Sequence, residues 1–154
     1  MRIIESRLRR IIRSVIAESL DGTRWGGESG EKITLRDVLE YFKVNNIMPK
    51  EFDTQDLFYK LSGGKEVLNI IEKGGEESNK RVEAASLDYP IIVVMRDGDI
   101  EYVLDGNHRL QKAKNMLEKE KRARKAKNNN FEGIQAYVLD LDDPRIPESY
   151  KMMF

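Results

Sequence analysis

The stretch that most constrains the fold runs from Ile91 to Leu117. It opens on Ile91-Ile92-Val93-Val94-Met95, five apolar residues in a row of which four are β-branched. A run this short and this uniformly apolar predicts a strand buried on both faces. Arg96-Asp97-Gly98-Asp99 follows, and its Asp-Gly pair favours a tight hairpin turn. Ile100 to Leu104 then returns as an antiparallel strand, and Asp105-Gly106 ends it. Beyond it Leu110, Ala113 and Leu117 recur at helical spacing, so a helix is expected from Asn107. A hairpin feeding directly into a helix must pack that helix on the sheet. The expected class is therefore α/β (α+β), with helices packed on a small sheet.

The flanking segments supply the remaining elements. Thr34 to Lys43 predicts a helix, with Thr34 as N-cap, Asp37 in the first turn and Val38, Leu39 and Phe42 on its apolar face. Ile47 to Phe52 suits a short edge strand in which Pro49 limits pairing. Asp53 or Thr54 caps a helix through Leu57, Phe58 and Leu61. A further helix is expected over 65–73, and a polar helical turn within 76–84. The charged helix after Leu117 ends by Asn128-Asn129-Asn130, and Gly133 to Leu141 is the last strand. Pro144 and Pro147 bound a tail in which Met152-Met153-Phe154 packs down.

Residues 1–20 read as an appendage. Ile4, Leu8, Ile11, Ile12, Val15 and Ile16 form one face of an amphipathic helix, and Arg2, Arg7, Arg9, Arg10 and Arg13 the other. This helix either docks a partner, sorts the protein, lies on a membrane surface or packs on its own domain. Residues 21–32 are expected to be a Gly-rich linker, with residues 33–154 forming the main domain. The glycines near Trp25 have no preceding strand and no following Gly-Lys-Ser/Thr, so they do not form a P-loop. Trp25 itself either stacks on a base or covers the core.

Composition narrows the chemistry. Lys plus Arg number 27 and Asp plus Glu 27, so net charge gives no argument for nucleic acid and only local patches can. The absence of cysteine removes disulfides, thiolate metal sites and a cysteine nucleophile. No apolar run approaches the ~20 residues of a membrane span. With arginines interleaved among the N-terminal apolar residues, no signal peptide is expected and the cytoplasm is the default location.

The candidate site is the turn between the returning strand and its helix. Asn107, His108 and Arg109 sit where free backbone N–H groups and the positive end of a helix dipole converge. Gly106 is expected to let a ligand approach the backbone closely. His108, the one histidine of the chain, and Arg109 suit an anion, most simply a phosphate. The alternative is a capped turn carrying a surface His–Arg pair.

The sequence Tyr102-Val103-Leu104-Asp105-Gly106-Asn107-His108-Arg109 followed by a helix resembles the signature of the ParB/sulfiredoxin superfamily. ParB proteins carry Gly-Glu-Arg-Arg here, sulfiredoxins Gly-Gly-Cys-His-Arg, and free-serine kinases of this fold Asp-Gly-His-His-Arg. The likeness spans Ile47 to Leu141 and is tightest from Tyr102 to Ala113. It implies a ParB-like domain, a small mixed sheet flanked by helices, whose turn holds the phosphates of a nucleotide, ATP or CTP, with Mg²⁺. Gly106, Asn107, His108 and Arg109 would be the phosphate-binding residues. Asp105 would bind the metal or a substrate hydroxyl; on residue type alone it equally caps the helix. Asn107 replaces the sulfiredoxin cysteine and the ParB glutamate. Sulfiredoxin chemistry is thereby excluded, and the ParB clamp chemistry loses its Glu-Arg-Arg. The opening residues 1–13 also resemble N-terminal segments of tailed-bacteriophage proteins, which implies a sorted or virion-associated protein located in a host cytoplasm or a virion.

Further candidates lie outside the turn. Glu51, Asp53 and Asp56 fall in the segment matching the early ParB strand, where one of them, Glu51 foremost, serves as catalytic base or metal ligand, or all three serve helix capping and solvation. Asp140, Asp142 and Asp143 either hold a cation or form a polar turn before Pro144. From Lys112 to Asn130 eight Lys/Arg face two Glu. Of these, Lys121, Arg122, Arg124 and Lys125 either follow a nucleic-acid backbone or form a solvated or disordered helix end, the reading favoured because no aromatic accompanies them for base stacking. The expected function is binding of a nucleotide or phosphorylated small molecule, with Mg²⁺-dependent phosphoryl transfer or hydrolysis as by a kinase or NTPase. The alternatives are a nucleic-acid-binding or nuclease protein and a virion-associated interaction protein.

Overall fold

A computed structural model of the chain describes residues 23–27, 30–61, 80–123 and 133–154, with the backbone alone for 121–123. The expected helices at 1–20 and 65–73 and the basic run's Arg124 and Lys125 lie outside the described residues, as do the side chains of Lys121 and Arg122. The chain divides into two compact units, Met1–Ile47 with Pro147–Phe154, and Met48–Ile146.

In the first unit, β1 (Arg24–Gly26) pairs antiparallel with β2 (Lys32–Thr34), with Trp25 opposite Ile33. The Gly-rich segment is thus not only a linker. Its glycines close the hairpin, the Gly30 amide donating to the Gly27 carbonyl at 3.1 Å with φ +80° at Gly30. Helix α1 (Leu35–Val44) starts on a capping box. The Asp37 amide donates to Thr34 Oγ1 at 3.2 Å, and the Thr34 amide donates to Asp37 Oδ2 at 2.7 Å. Its buried face is Leu35, Val38, Tyr41 and Phe42. Helix α4 (Glu148–Met153) follows Pro147. Trp25 meets Phe154 edge-on at 5.4 Å between centroids, and Tyr150 lies 5.9 Å from both Phe154 and Tyr41. Of the two uses considered for Trp25, this one is core packing. Phe154 packs down as expected, whereas Met152 is 81% exposed.

The second unit is a four-stranded mixed sheet in the order β3-β6-β4-β5. Strand β3 (Lys50–Asp53) runs antiparallel to β6 (Gly133–Asp140), β6 parallel to β4 (Ile91–Arg96), and β4 antiparallel to β5 (Asp99–Asp105). The α+β class with a small mixed sheet is therefore observed. Ile91 and Val93 join a cluster with Leu57 and Phe58 of α2 (Thr54–Lys60) and Leu110 and Ala113 of α3 (Asn107–Ala123). Each fully buried Leu, Ile, Val or Phe contributes roughly 1.5–3 kcal/mol. Ile92 and Val94 on the opposite face are equally buried, as expected of an unbroken β-branched run. The Lys114 ammonium stands 3.9 Å from the Phe58 ring centroid, joining α3 to α2. At the hairpin, Asp97 and Gly98 have φ of +53° and +81°, the mirror-image turn that matches strand twist. Among the described residues no helix is long and apolar enough to cross a membrane.

Candidate functional site

The turn after β5 forms as expected, but its residues are used differently. Gly106 sits between Asp105, the last residue of β5, and Asn107, the first of α3. Its φ is +105°, and the Leu110 amide donates to its carbonyl at 2.9 Å, closing the first turn. A Cβ placed on Gly106 would come within 2.5 Å of Ile91 Cγ2 and 2.8 Å of Ile91 Cβ. Ile91 is fully buried. The glycine is therefore demanded by backbone conformation and by packing on β4. These structural demands stand beside the expected one, the approach of a ligand to the backbone.

Arg109 is engaged by the protein itself. It was expected to present its fork to a phosphate, yet its side chain is only 18% exposed. One terminal nitrogen donates to the Tyr89 carbonyl at 3.1 Å and the Pro90 carbonyl at 2.6 Å. The other donates to Asp105 Oδ2. Arg109 thus ties the end of β5 to the residues that lead into β4. Lys112, one turn further along α3, donates to the carbonyls of Glu83 and Ala85 at 2.8 and 2.6 Å. Both cations hold the 83–90 segment against α3. Sequence reasoning missed this clasp. The spacing of Arg109 and Lys112 puts them on one flank of the helix, but main-chain carbonyls leave no mark in a sequence.

His108 and Asn107 are half-buried on the first turn of α3. The imidazole is held below its ordinary value of 6.5, first by burial and then by the charge of Arg81 in the helical residues 80–84. It is therefore neutral at pH 7 and offers one N–H donor and one acceptor. The first turn of α3 has no acidic residue, and Gly106 has no side chain to cap it. Helix dipole, turn amides, His108 and the nearby positive charge of Arg81 together favour an anion over a cation.

The other candidate carboxylates are elsewhere. Strands β3 and β5 are opposite edges of the sheet, three spacings of about 4.8 Å or roughly 14 Å apart. Glu51 on β3 is thus not brought to the turn; its side chain lies over Gly133 of β6. Asp53 caps α2, accepting from the Asp56 amide at 2.8 Å, and Asp56 pairs with Lys60 on an exposed face. Asp140 accepts from the Asp142 amide at 2.9 Å, and Asp142 accepts from the Asp97 amide. Asp143 is held by Arg145, which brings its carboxyl down to about 2. These aspartates build a polar turn. Among the described residues no three of His, Asp and Glu converge as a metal-binding group.

Comparison of the chain with family models, with curated proteins and with solved structures finds no match in any of the three.

Proposed function

We propose that the Met48–Ile146 unit binds a phosphorylated small molecule, and specifically a nucleotide, at the turn joining β5 to α3. The observation that carries this reading is the way α3 begins. A 17-residue helix leaves a sheet strand through a left-handed glycine, and its first turn carries His108 and no carboxylate. Backbone amides at such an end suit a dianionic group. The likeness of Asp105–Arg109 to the ParB/sulfiredoxin signature supports the same ligand class. In this reading the amides of Asn107 and His108 and the His108 ring contact the phosphate, while Arg109 holds the turn in shape. Phosphate thus fits the residues present. Mg²⁺ would arrive on the nucleotide's own phosphates, where it neutralises charge, since the one carboxylate at the turn, Asp105, is paired with Arg109. In nucleotide hydrolysis or phosphoryl transfer Asp105, once released from Arg109, would take the proton of the attacking water or hydroxyl, and Glu51 is too distant to serve.

Calorimetric titration of ATP, CTP and GTP with Mg²⁺ into the wild type and His108→Ala tests this. The expected outcome is binding of at least one nucleotide, weakened about tenfold in the variant, the effect of one charge-assisted hydrogen bond. Equal affinity in both proteins, or no binding of any nucleotide, sinks the reading.

A further inference from the structure

The ion pair between Asp105 and Arg109 adds a regulatory element to this site. Arg109 has two kinds of partner. The carbonyls of Tyr89 and Pro90 belong to the main chain and stay with it. The Asp105 carboxylate is the exchangeable one, on a short side chain at the end of β5. The ion pair is only partly covered, with the Asp105 side chain 26% and the Arg109 side chain 18% exposed. To a guanidinium, a carboxylate and a phosphate are the same class of ligand, planar or forked oxygens with negative charge. Asp105 precedes Gly106 directly, so rotating its side chain away leaves α3 unmoved.

We propose that Asp105 is a built-in competitor for the anion, holding Arg109 closed until a phosphate displaces it. The proposal rests on the phosphate reading of the turn. In the closed state the carboxylate occupies one guanidinium nitrogen and repels an arriving anion. When the phosphate enters, Arg109 keeps its two carbonyl partners and exchanges Asp105 for a phosphate oxygen. Asp105 is released at that moment, as a free carboxylate beside the bound ligand. Its effect on affinity is thus opposite to that of a metal ligand, whose loss weakens binding.

The test titrates pyrophosphate, without divalent metal, into the full chain and into Asp105→Asn and Asp105→Ser. Asparagine keeps an acceptor for Arg109, and serine keeps a small polar residue ahead of Gly106, so the two variants fail differently if either disturbs the fold. Thermal melts confirm which variants are folded. Both Asp105 variants are expected to bind about tenfold tighter than the wild type, because the ligand no longer has to break the charged Asp105–Arg109 hydrogen bond before Arg109 can reach it. Adding Arg109→Ala to Asp105→Asn should erase that increase. If the wild type binds and neither folded variant binds tighter, the competitor role is wrong while the phosphate reading stands. If wild type and variants all fail to bind, both fall.

Discussion

Substituting Gly106 by alanine isolates the element on which the β5–α3 turn depends. Two costs combine at this position. A φ of +105° is a conformation that residues with a Cβ adopt at a penalty of roughly 1–3 kcal/mol. The new methyl would also fall 2.5 Å from Ile91 Cγ2 and 2.8 Å from Ile91 Cβ, inside a packed core. Forcing a methyl-sized group into such a site typically costs about 1–3 kcal/mol. The total is about 2–6 kcal/mol, a large part of the ~5–15 kcal/mol that holds an ordinary domain together. Two other glycines separate the two costs. Gly98 has φ +81° and nothing within 4 Å of its Cβ position, so Gly98→Ala should show the backbone penalty alone. At Gly133 the added methyl meets Oε1, Cγ and Cδ of Glu51, an exposed side chain that can turn away as a whole, so Gly133→Ala should cost about 1 kcal/mol. Urea unfolding of the three variants gives the order directly. Gly106→Ala should be the least stable, with Gly98→Ala in between. A Gly106→Ala protein as stable as Gly98→Ala would refute the packing argument, because it would show that Ile91 yields without cost.

Arg109→Ala should lower stability by about 1–3 kcal/mol, because it leaves the part-buried Pro90 carbonyl and Asp105 carboxylate without this partner; an unchanged urea midpoint contradicts the clasp. The depressed pKa of His108 means that the unfolded chain takes up its proton first. Its contribution to stability is therefore present above pH 6.5 and lost as pH falls through the lower folded value, so His108→Gln should flatten the pH–stability curve there. Arg145→Ala should return the Asp143 carboxyl from about 2 toward its ordinary 3.8, read by carbon NMR of the side chain; no movement would show that another group holds it.

The strands and helices of the Met48–Ile146 unit were legible because their signals were local. The β-branched run at 91–95, the Asp97-Gly98 turn and the 110–113–117 spacing each carry a period or a turn preference that packing reinforces. What the sequence hid was the use of polar side chains. Arg109 looked like a free cation beside a glycine, and only the fold reveals two carbonyls of residues 89 and 90 beneath it. Glu51 looked close to the turn because related folds suggested it, while the strand order sends β3 and β5 to opposite edges. Trp25 lay in a segment rich in glycine, and the strand it belongs to depends on pairing with Ile33 across the hairpin. Gly106 was singled out for ligand approach, and the fold adds a second reason in its backbone conformation and its packing on Ile91.

If the first turn of α3 receives a phosphate, backbone amide resonances report it most directly. Pyrophosphate titrated into ¹⁵N-labelled protein at neutral pH should move the amides of Gly106, Asn107 and His108 first and furthest, with the His108 ring following. Amides of β3, at the opposite edge of the sheet, should stay in place. A spectrum that does not respond, or one whose largest shifts fall away from residues 105–109, contradicts the account.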